Sequence, residues 1–138
     1  MTNGNDAEIF ATRLKEMQGD TVHIGMVDAE GEFRLKSVSA QKAIKLVRDG
    51  YQFCEVLHYW TVNESPFLET AFPDQPAIID VSTLRSYPFA ENEVFCIADF
   101  SGAFGARSSR NVLQAQLNQL EDEGLTLLSA FEFEFNLF

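Results

Sequence analysis

Residues 21–50 read TVHIGMVDAEGEFRLKSVSAQKAIKLVRDG, and the spacing of their apolar residues changes once along the way. Up to residue 38, apolar and polar or small residues alternate, which is the period of a strand with one buried face. The alternation is interrupted at Ala29-Glu30-Gly31, a sequence suited to a turn. Residues 21–38 are therefore predicted to form a β-hairpin.

The second part of this stretch has the period of a helix. The Ser39 hydroxyl can cap the first turn, and Gly50 can end the helix. Between them, the positions that would face a core recur at helical spacing: Ala40, Ala43, Ile44 and Val47. A change from period 2 to period 3.6 at Ser39 predicts a hairpin followed by a helix that packs against it.

The same criteria extend the prediction in both directions. The apolar face between Asn5 and Gly19 predicts a first helix, with Glu8 at capping-box spacing from Asn5. Strands are predicted at 51–60, 77–81 and 93–98 and from Thr126 onward. A further helix is predicted from Ser108 or Ser109 to Gly124. Residues 61–76 are predicted to form a long irregular connection, and residues 102–105 a glycine loop.

This order of elements predicts an α+β fold, a β-grasp-like mixed sheet with flanking helices. The chain is expected to divide into three parts. Residues 1–20 form an N-terminal helix, residues 21–105 form the β-grasp domain, and residues 106–138 form a linker helix and the first strand of a truncated catalytic domain.

Composition and charge exclude several classes of protein. The formal net charge of −11 argues against a nucleic-acid partner, because phosphate binding needs a basic surface. No apolar stretch has the roughly 20 residues of a membrane helix, and the start of the chain lacks the basic and apolar regions of a signal peptide. Two cysteines are too few for a disulfide framework and favour a reduced, cytoplasmic location.

The last predicted strand carries two carboxylates on one face. Glu132 and Glu134 alternate with Phe131, Phe133 and Phe135, and would lie roughly 6.6 Å apart along a strand. They can be the solvated side of an amphipathic strand, or they can hold hard divalent cations such as Mg²⁺ or Mn²⁺. Because the apolar pattern is still running at Phe138, the chain is expected to be a piece of a longer protein.

Two further groups of residues have a chemical and a structural interpretation. Cys54 and His58 could form a thiolate–imidazole pair, but four residues along a strand span roughly 13 Å, so a buried structural cysteine is favoured. The segment from Gly102 to Arg110 could hold a phosphate at a helix start, but a simple helix cap is favoured. The two histidines and two cysteines lack zinc-site spacing.

Several short motifs, in order, resemble the glutamine synthetase family over nearly the whole chain. The hairpin with Asp28, Gly31 and Arg34 is similar to the opening of that family's amino-terminal β-grasp domain. The later motifs are Pro73-Asp74, Thr83-Leu84-Arg85, Pro88-Phe89, Ala98-Asp99, Arg110-Asn111-Val112-Leu113 and Glu132-Phe133-Glu134-Phe135, the last of which resembles the Glu-x-Glu-Phe that opens the catalytic domain.

The departures from the family pattern bear on substrate choice. Leu35, Phe89 and Ser109 replace a Gly, a Trp and a Pro of the family's motifs. Cys54 falls where ammonia-using members carry an Asp, with Glu55 as the alternative carboxylate, and Trp60 lies near the family's active-site Trp. The resemblance thus implies catalytic-site positions at Cys54 and Trp60, and the Cys54 replacement points to the branch that uses organic amines such as polyamines.

The resemblance implies an ATP-dependent ligase that joins the γ-carboxylate of glutamate to ammonia or an amine through a γ-glutamyl phosphate. Glu132 and Glu134 would each hold one divalent metal ion, Mg²⁺ or Mn²⁺. The nucleotide pocket would lie beyond Phe138, so no cofactor is expected to bind the present chain tightly and the chain alone is expected to be inactive. The implied partners are further copies in a ring-like homo-oligomer. The alternative is a non-catalytic β-grasp interaction or regulatory module.

Overall fold

The computed structural model describes residues 4–61, 63 and 65–138. Its strands are β1 (Thr21–Val27), β2 (Phe33–Ser39), β3 (Tyr51–Cys54), β4 (Asp74–Ser86) and β5 (Glu93–Phe100). Its α-helices are α1 (Gly4–Glu16), α2 (Ala40–Asp49), the short α3 (Gly102–Gly105) and α4 (Ser109–Asp122), and a 3₁₀ turn covers Glu55–His58. None of these helices combines the length and the apolar character that crossing a membrane requires, in the part of the chain described.

The strands form one mixed sheet in the order β2-β1-β5-β4-β3. The central pair, β1 and β5, is parallel, and the other neighbours are antiparallel. Consequently β1, β3 and β5 run in the same direction, and their carboxyl ends lie at the same end of the sheet. We call this the loop end; it carries the β1–β2 turn, the β3–β4 connection and the segment that follows β5. The predicted α+β class is confirmed.

The core lies between the sheet and the helices α1 and α2. The central strands contribute alternate residues to it, from Val22 to Met26 in β1 and from Val94 to Phe100 in β5. The helices contribute Ala7, Phe10, Leu14, Ala43 and Val47. As predicted, Ser39 caps α2 by accepting a hydrogen bond from the Lys42 N–H, and Gly50 follows the helix with φ of 110°.

The β1–β2 turn is organised by the buried carboxylate of Asp28. This carboxylate accepts hydrogen bonds from the backbone N–H groups of Glu30 and Glu32 and from Nε of Arg34, at 2.9–3.0 Å. Burial by itself raises the pKa of Asp28, but these three hydrogen bonds and the charge of Arg34 outweigh it, so that the pKa lies below its ordinary value of 3.8. Gly31 has φ of 90°, which a side chain would strain.

The predicted strand at 51–60 is too long. β3 ends at Cys54, which pairs with Asp74, the first residue of β4. Beyond this pair the neighbouring strand offers no further ladder, and Glu55 begins a 3₁₀ turn, its N–H bonded to the Pro73 carbonyl at 3.1 Å. The connection predicted at 61–76 therefore begins earlier, at Glu55, and also ends earlier, at Pro73, since β4 starts at Asp74. Its residues 62 and 64, like residues 1–3, lie outside the described residues.

Two other predicted elements differ. β4 continues past residue 81 to Ser86 through an irregularity between Asp80 and Arg85, where the Arg13 guanidinium binds the carbonyls of Val81 and Leu84. The predicted glycine loop at 102–105 is the short helix α3. The first difference involves Arg13, a residue distant in sequence, and local patterns do not encode such a contact.

The strand predicted from Thr126 does not form in this structure. Residues 125–138 are irregular and exposed, with Phe131, Phe133 and Phe135 at least 78% accessible. A strand is stable only when a neighbour completes its hydrogen bonds, and none of the described strands pairs with this segment. The predicted helix α4 does form between Ser108 and Gly124, yet its apolar residues Val112 and Leu113 stay about half exposed.

Replacing Asp28 by Asn should destabilise the fold near pH 7 by about 2 kcal/mol, because charge-assisted hydrogen bonds in a buried turn are lost. The pKa of Asp28 is lower in the folded protein than its ordinary value of 3.8. The stabilisation that the Asp28 carboxylate gives to the fold is therefore present above pH 3.8 and is lost as the pH falls through the lower pKa of the folded state. Urea titrations of wild type and Asp28→Asn should therefore differ near neutrality and converge well below pH 3.8.

Asp49→Asn is the matched control, because Asp49 also pairs with an arginine, Arg48, but at the surface. It should change stability little at any pH. Equal effects of the Asp28 and Asp49 substitutions would contradict the anchoring role of Asp28.

Candidate functional site

Contacts between distant segments tie the loop end together. The Ala29 N–H of the β1–β2 turn donates to the Leu57 carbonyl of the β3–β4 connection at 3.2 Å. From β2, the Arg34 guanidinium lies over the Trp60 ring, 5.3 Å from its centroid. After β5, Arg107 Nη1 donates to the Tyr59 hydroxyl at 2.9 Å. The β3–β4 connection is thus held from both sides.

Cys54 lies at the beginning of this connection, as the last residue of β3. Its half-buried thiol donates a hydrogen bond to the Phe72 carbonyl at 3.3 Å. The neighbouring Glu55, the alternative carboxylate, accepts a hydrogen bond from the Gln75 side-chain amide. The sulfur is therefore fixed toward the end of the connection, and Glu55 is bound to the start of β4.

Trp60 lies at the other end of the 3₁₀ turn, on the same connection as Cys54. Its backbone forms an isolated antiparallel bridge with Pro66, and its ring packs partly against the core. The indole Nε1 is buried without a hydrogen-bond partner. The structure thus places the two sequence-predicted catalytic-site residues on one short segment, Cys54 before the 3₁₀ turn and Trp60 after it.

His58 serves as an aromatic packing group. Its ring lies 5.2 Å from that of Phe100 and 5.5 Å from that of Phe104, and its Nε2 is buried without a partner. Burial, followed by the positive charge of Arg107, lowers the pKa of His58 against a smaller opposing effect of Asp28. Since the hydrogen bond of the Cys54 thiol goes to the Phe72 carbonyl, the geometry supports a structural cysteine rather than a Cys54–His58 pair.

The second cysteine is part of the core. Cys96 is fully buried in β5, and burial, with a smaller contribution from Asp80, raises the pKa of its thiol to about 12. A thiol held in its neutral form in an apolar environment is a poor nucleophile.

A cleft of about 330 Å³ opens at the loop end and is lined by Ala29, His58, Tyr59, Arg107 and Ser109. Here the segment after β5 turns into α4. The Asn111 side-chain amide donates to the carbonyls of Phe100 and Gly105, and so closes the α3 turn. Arg107 also lies 5.3 Å from the Phe104 ring. Helix α4 begins after Ser108 as predicted, but the Ser108 side chain makes no capping hydrogen bond to it.

Arg110 fixes the beginning of α4 to the sheet. Its Nε donates to both carboxylate oxygens of Asp99 in β5, at 3.0 and 3.1 Å, and its Nη2 lies 3.6 Å from Asp80 in β4. The motifs Ala98-Asp99 and Arg110-Asn111, both singled out in the sequence, therefore meet as a carboxylate–guanidinium pair. Their role in this structure is to attach the helix.

The two predicted metal ligands lie far from this cluster in sequence and in an exposed segment. Glu132 and Glu134 are both accessible and belong to the irregular residues 125–138. Within the described ranges, no group of three or more His, Cys, Asp or Glu side chains is arranged to hold a metal ion. Two exposed carboxylates supply too few oxygens for Mg²⁺, which prefers six ligands.

Some residues at the loop end were not predicted to act together. The Asp28–Arg34 pair had a local signal, since Asp three residues before Gly is typical of a turn closed by the carboxylate. The contact of Arg107 with Tyr59 joins residues 48 positions apart, and the packing of His58 depends on Phe100. No local pattern marks contacts of this range.

Fold and contacts define the class: a β-grasp-like α+β domain whose candidate functional residues lie along one connection at the loop end. No family model matches the chain. It is 30% identical over 150 residues to the glutamate–isopropylamine ligase of a Pseudomonas species, covering 99% of this chain and 33% of that protein. It is also 30% identical over 126 residues to the glutamate–methylamine ligase of Methyloversatilis universalis, covering 90% of this chain and 28% of that protein.

A type-1 glutamine synthetase of Dictyostelium discoideum is 24% identical over 140 residues, covering 94% of this chain and 27% of that protein. A solved structure of GmaS with ADP superimposes with a TM-score of 0.67 at 22% identity, covering 89% of this chain and 26% of that one; this likeness concerns the fold. The chain belongs to the glutamine synthetase family and corresponds to an amino-terminal part of it. It spans about a third or less of the length of the relatives it matches.

The contacts of His58 lead to a stability prediction. His58→Phe keeps the ring packing and removes an unpaired buried nitrogen, so the free energy of unfolding should rise by about 1 kcal/mol at pH 7. His58→Ala also removes the nitrogen but leaves a cavity beside Phe100 and Phe104. This substitution should lower the free energy of unfolding by about 2 kcal/mol.

The pH dependence supplies a second readout. The pKa of His58 in the folded protein lies below its ordinary value of 6.5. The stability of the fold with a neutral His58 ring is therefore fully present above pH 6.5 and is lost as the pH falls through the lower pKa of the folded state. Wild type should therefore lose stability in that range relative to His58→Phe. Parallel pH profiles for the two proteins would show that His58 is not buried in neutral form.

Proposed function

We propose that this chain is the amino-terminal domain of an ATP-dependent ligase that joins the γ-carboxylate of glutamate to an organic amine. The observation that carries the proposal is the match, over 99% and 90% of the chain, to ligases named for isopropylamine and methylamine. The domain's share of the reaction is to line the amine pocket with the β3–β4 connection, between Cys54 and Trp60.

In the proposed reaction, ATP transfers its γ-phosphoryl group to the glutamate carboxylate and gives an acyl phosphate. The amine nitrogen then attacks the carbonyl carbon with its lone pair, phosphate leaves, and the nitrogen loses a proton to form the amide. Only a neutral amine has the lone pair that this attack needs. The pocket must therefore accept the amine in its neutral form, or remove a proton after binding.

Cys54 supports an organic amine over ammonium. An Asp at this position could hold ammonium by a charge-assisted hydrogen bond and take up its proton. The Cys54 thiol instead donates to the Phe72 carbonyl, so its hydrogen is already used. On the same connection, the Trp60 indole offers apolar surface, which an alkyl group can contact and ammonium cannot.

Divalent cations, Mg²⁺ or Mn²⁺, belong to the proposal together with ATP, whose phosphoryl oxygens they would polarise. Glu132 and Glu134 would each give one carboxylate to a separate ion. In this structure the pair has no third ligand among the described residues, so the other ligands and the nucleotide pocket must come from further protein. The relatives are three to four times as long as this chain, which gives room for both.

We further propose that the whole ligase is a cytoplasmic enzyme of nitrogen metabolism that works as a ring-like homo-oligomer. Exposed apolar side chains support a partner surface: Val112 and Leu113 on α4, and Leu128 and Phe131 beyond it, are 50–97% accessible. Surfaces of this kind are normally covered in a working assembly.

The amine preference can be tested with Cys54→Asp in the ligase that contains this domain. Wild type should favour isopropylamine or methylamine over ammonium in kcat/KM. The substitution should raise kcat/KM for ammonium by about ten- to a hundredfold. This factor corresponds to the free energy of about 1.5–3 kcal/mol that a charge-assisted hydrogen bond contributes.

Glu55→Gln is the matched control, since Glu55 is the neighbouring carboxylate and is already bound to Gln75. It should leave the amine preference unchanged. If Glu55→Gln abolishes the use of ammonium while Cys54→Asp changes nothing, Glu55 is the carboxylate of the site and the assignment of Cys54 is wrong.

The present chain by itself should neither release ADP from ATP with glutamate and an amine nor bind Mg²⁺ or Mn²⁺ with micromolar affinity. Two carboxylates in an irregular segment provide too few ligands. Isothermal calorimetry of the chain and of a Glu132→Gln, Glu134→Gln variant should give the same trace. Micromolar binding that disappears in the variant would contradict this.

A further inference from the structure

The cleft of about 330 Å³ at the loop end carries a positive charge in its wall and no carboxylate. None of the residues that line it is Asp or Glu, although the chain contains 21 acidic residues. Arg107 donates to the Tyr59 hydroxyl at 2.9 Å and lies 5.3 Å from the Phe104 ring. Arg110, three residues further on, is instead paired with carboxylates of the sheet. Among the described residues, Arg107 thus forms no ion pair, and its charge is available to an anion.

Hydrogen-bond donors lie beside this charge. The Tyr59 hydroxyl accepts from Arg107 and keeps its own O–H for a further acceptor, and the Ser109 hydroxyl belongs to the same wall. Helix α4 begins here. Its first intrahelical bond runs from the Val112 N–H to the Ser108 carbonyl at 3.0 Å, so the earlier N–H groups of the helix have no intrahelical acceptor. The Ser108 side chain does not cap them. An anion would therefore meet donors from two segments and the positive end of a helix.

An unpaired polar atom in the same wall also points to a ligand. His58 lines the cleft, and its Nε2 is buried without a hydrogen-bond partner among the described residues. Such atoms are rare in folded proteins, because an unpaired buried polar group costs free energy. An oxygen of a bound anion would accept a hydrogen bond from this nitrogen when it carries the proton.

We propose that this cleft binds a phosphate group, either inorganic phosphate or a phosphate monoester. Arg107 supplies the charge, and Tyr59, Ser109 and the start of α4 supply further donors. A phosphate group offers three or more acceptor oxygens, whereas a carboxylate offers two, and it carries more negative charge near pH 7. Because the donors lie on separate segments, a tetrahedral group can satisfy more of them than a planar one. Every residue of the site belongs to the present chain, so this proposal is independent of the proposed ligase activity.

The test is a titration of the present chain with inorganic phosphate, followed by proton NMR of its two histidine rings. Chloride keeps the ionic strength constant, so that general screening does not change. The His58 signals should shift and saturate with a Kd on the order of 1 mM. The His23 signals should stay in place, because that ring is hydrogen bonded to Ser37 and Glu93 near the opposite end of the sheet. His58→Phe assigns the two sets of signals.

The pKa of His58 supplies a second readout. Burial, followed by the charge of Arg107, lowers this pKa, and Asp28 acts more weakly in the opposite direction. A phosphate beside the ring favours the imidazolium, so the pKa of His58 should rise when the cleft is filled. The rise should be absent in Arg107→Gln. An unchanged pKa at saturating phosphate in wild type would contradict the placement of the ligand beside His58.

Two arginines give a matched pair of variants. Arg107→Gln should weaken phosphate binding at least about tenfold. Arg48 lines a separate cleft on α2 with Lys42 and Lys45, so Arg48→Gln removes the same charge from another basic surface and should leave binding unchanged. Far-UV circular dichroism checks folding. Should Arg107→Gln not fold, Tyr59→Phe, which keeps the guanidinium and the aromatic ring but removes a hydroxyl, should still weaken binding, to a smaller extent.

A comparison of ligands decides the class. Acetate should bind at least about tenfold more weakly than phosphate. Methyl phosphate separates the two sources: binding as tight as that of inorganic phosphate indicates a monoester, weaker binding indicates the free ion, and both support the site. The proposal would be overturned by the lack of a saturable shift of His58, by equally tight binding of acetate, or by a loss of binding in Arg48→Gln alone.

Discussion

The parallel pairing of β1 with β5 is the constraint on which the candidate site depends. A parallel pair cannot be closed by a tight turn, and β2, α2, β3 and β4 lie between the two strands in sequence. Because β4 is antiparallel to both β5 and β3, β3 runs in the same direction as β1 and β5, and three carboxyl ends meet at the loop end. The Asp28 turn, the segment from Cys54 to Trp60 and the Arg107 segment are neighbours for this reason, although nearly 80 residues separate Asp28 from Arg107.

Rigidity at the loop end comes from the way in which a buried charge is compensated. A carboxylate without solvent is costly unless its oxygens are hydrogen bonded, and Asp28 meets this condition with two backbone N–H groups and Arg34. The turn cannot rearrange without exposing or unpairing that charge. Arg34 carries the constraint on to Trp60, and the Ala29–Leu57 hydrogen bond carries it to the 3₁₀ turn. A loop attached in this manner can form a pocket wall of constant shape.

Sequence patterns were sufficient for elements whose signals are local. The hairpin, α2 with its Ser39 cap and Gly50 end, and the beginning of α4 follow from period, caps and turn residues. They were insufficient where a distant partner decides. β3 stops at Cys54 because β4 starts opposite it at Asp74, and β4 continues past residue 81 with Arg13 bound to its carbonyls. The alternation after Thr126 is a pattern for a strand, but a strand needs a neighbour. In the candidate site, the family resemblance indicates Cys54 and Trp60, whereas the contact of Arg34 with Trp60 is visible only in the folded structure.

For the proposed ligase, the chemistry of the loop end favours binding rather than proton transfer as the contribution of this domain. The groups that could act as acids, bases or nucleophiles are engaged in structure: the Cys54 thiol with the Phe72 carbonyl, Asp28 with Arg34, and Glu55 with Gln75. His58 packs against phenylalanines with its pKa lowered. The Cys54 thiol and the Trp60 indole, both half-buried, remain along the β3–β4 connection, and the indole would favour amines that carry an alkyl group. On the proposed function, phosphoryl transfer therefore belongs to the rest of the ligase, and this domain determines which nucleophile reaches the acyl phosphate.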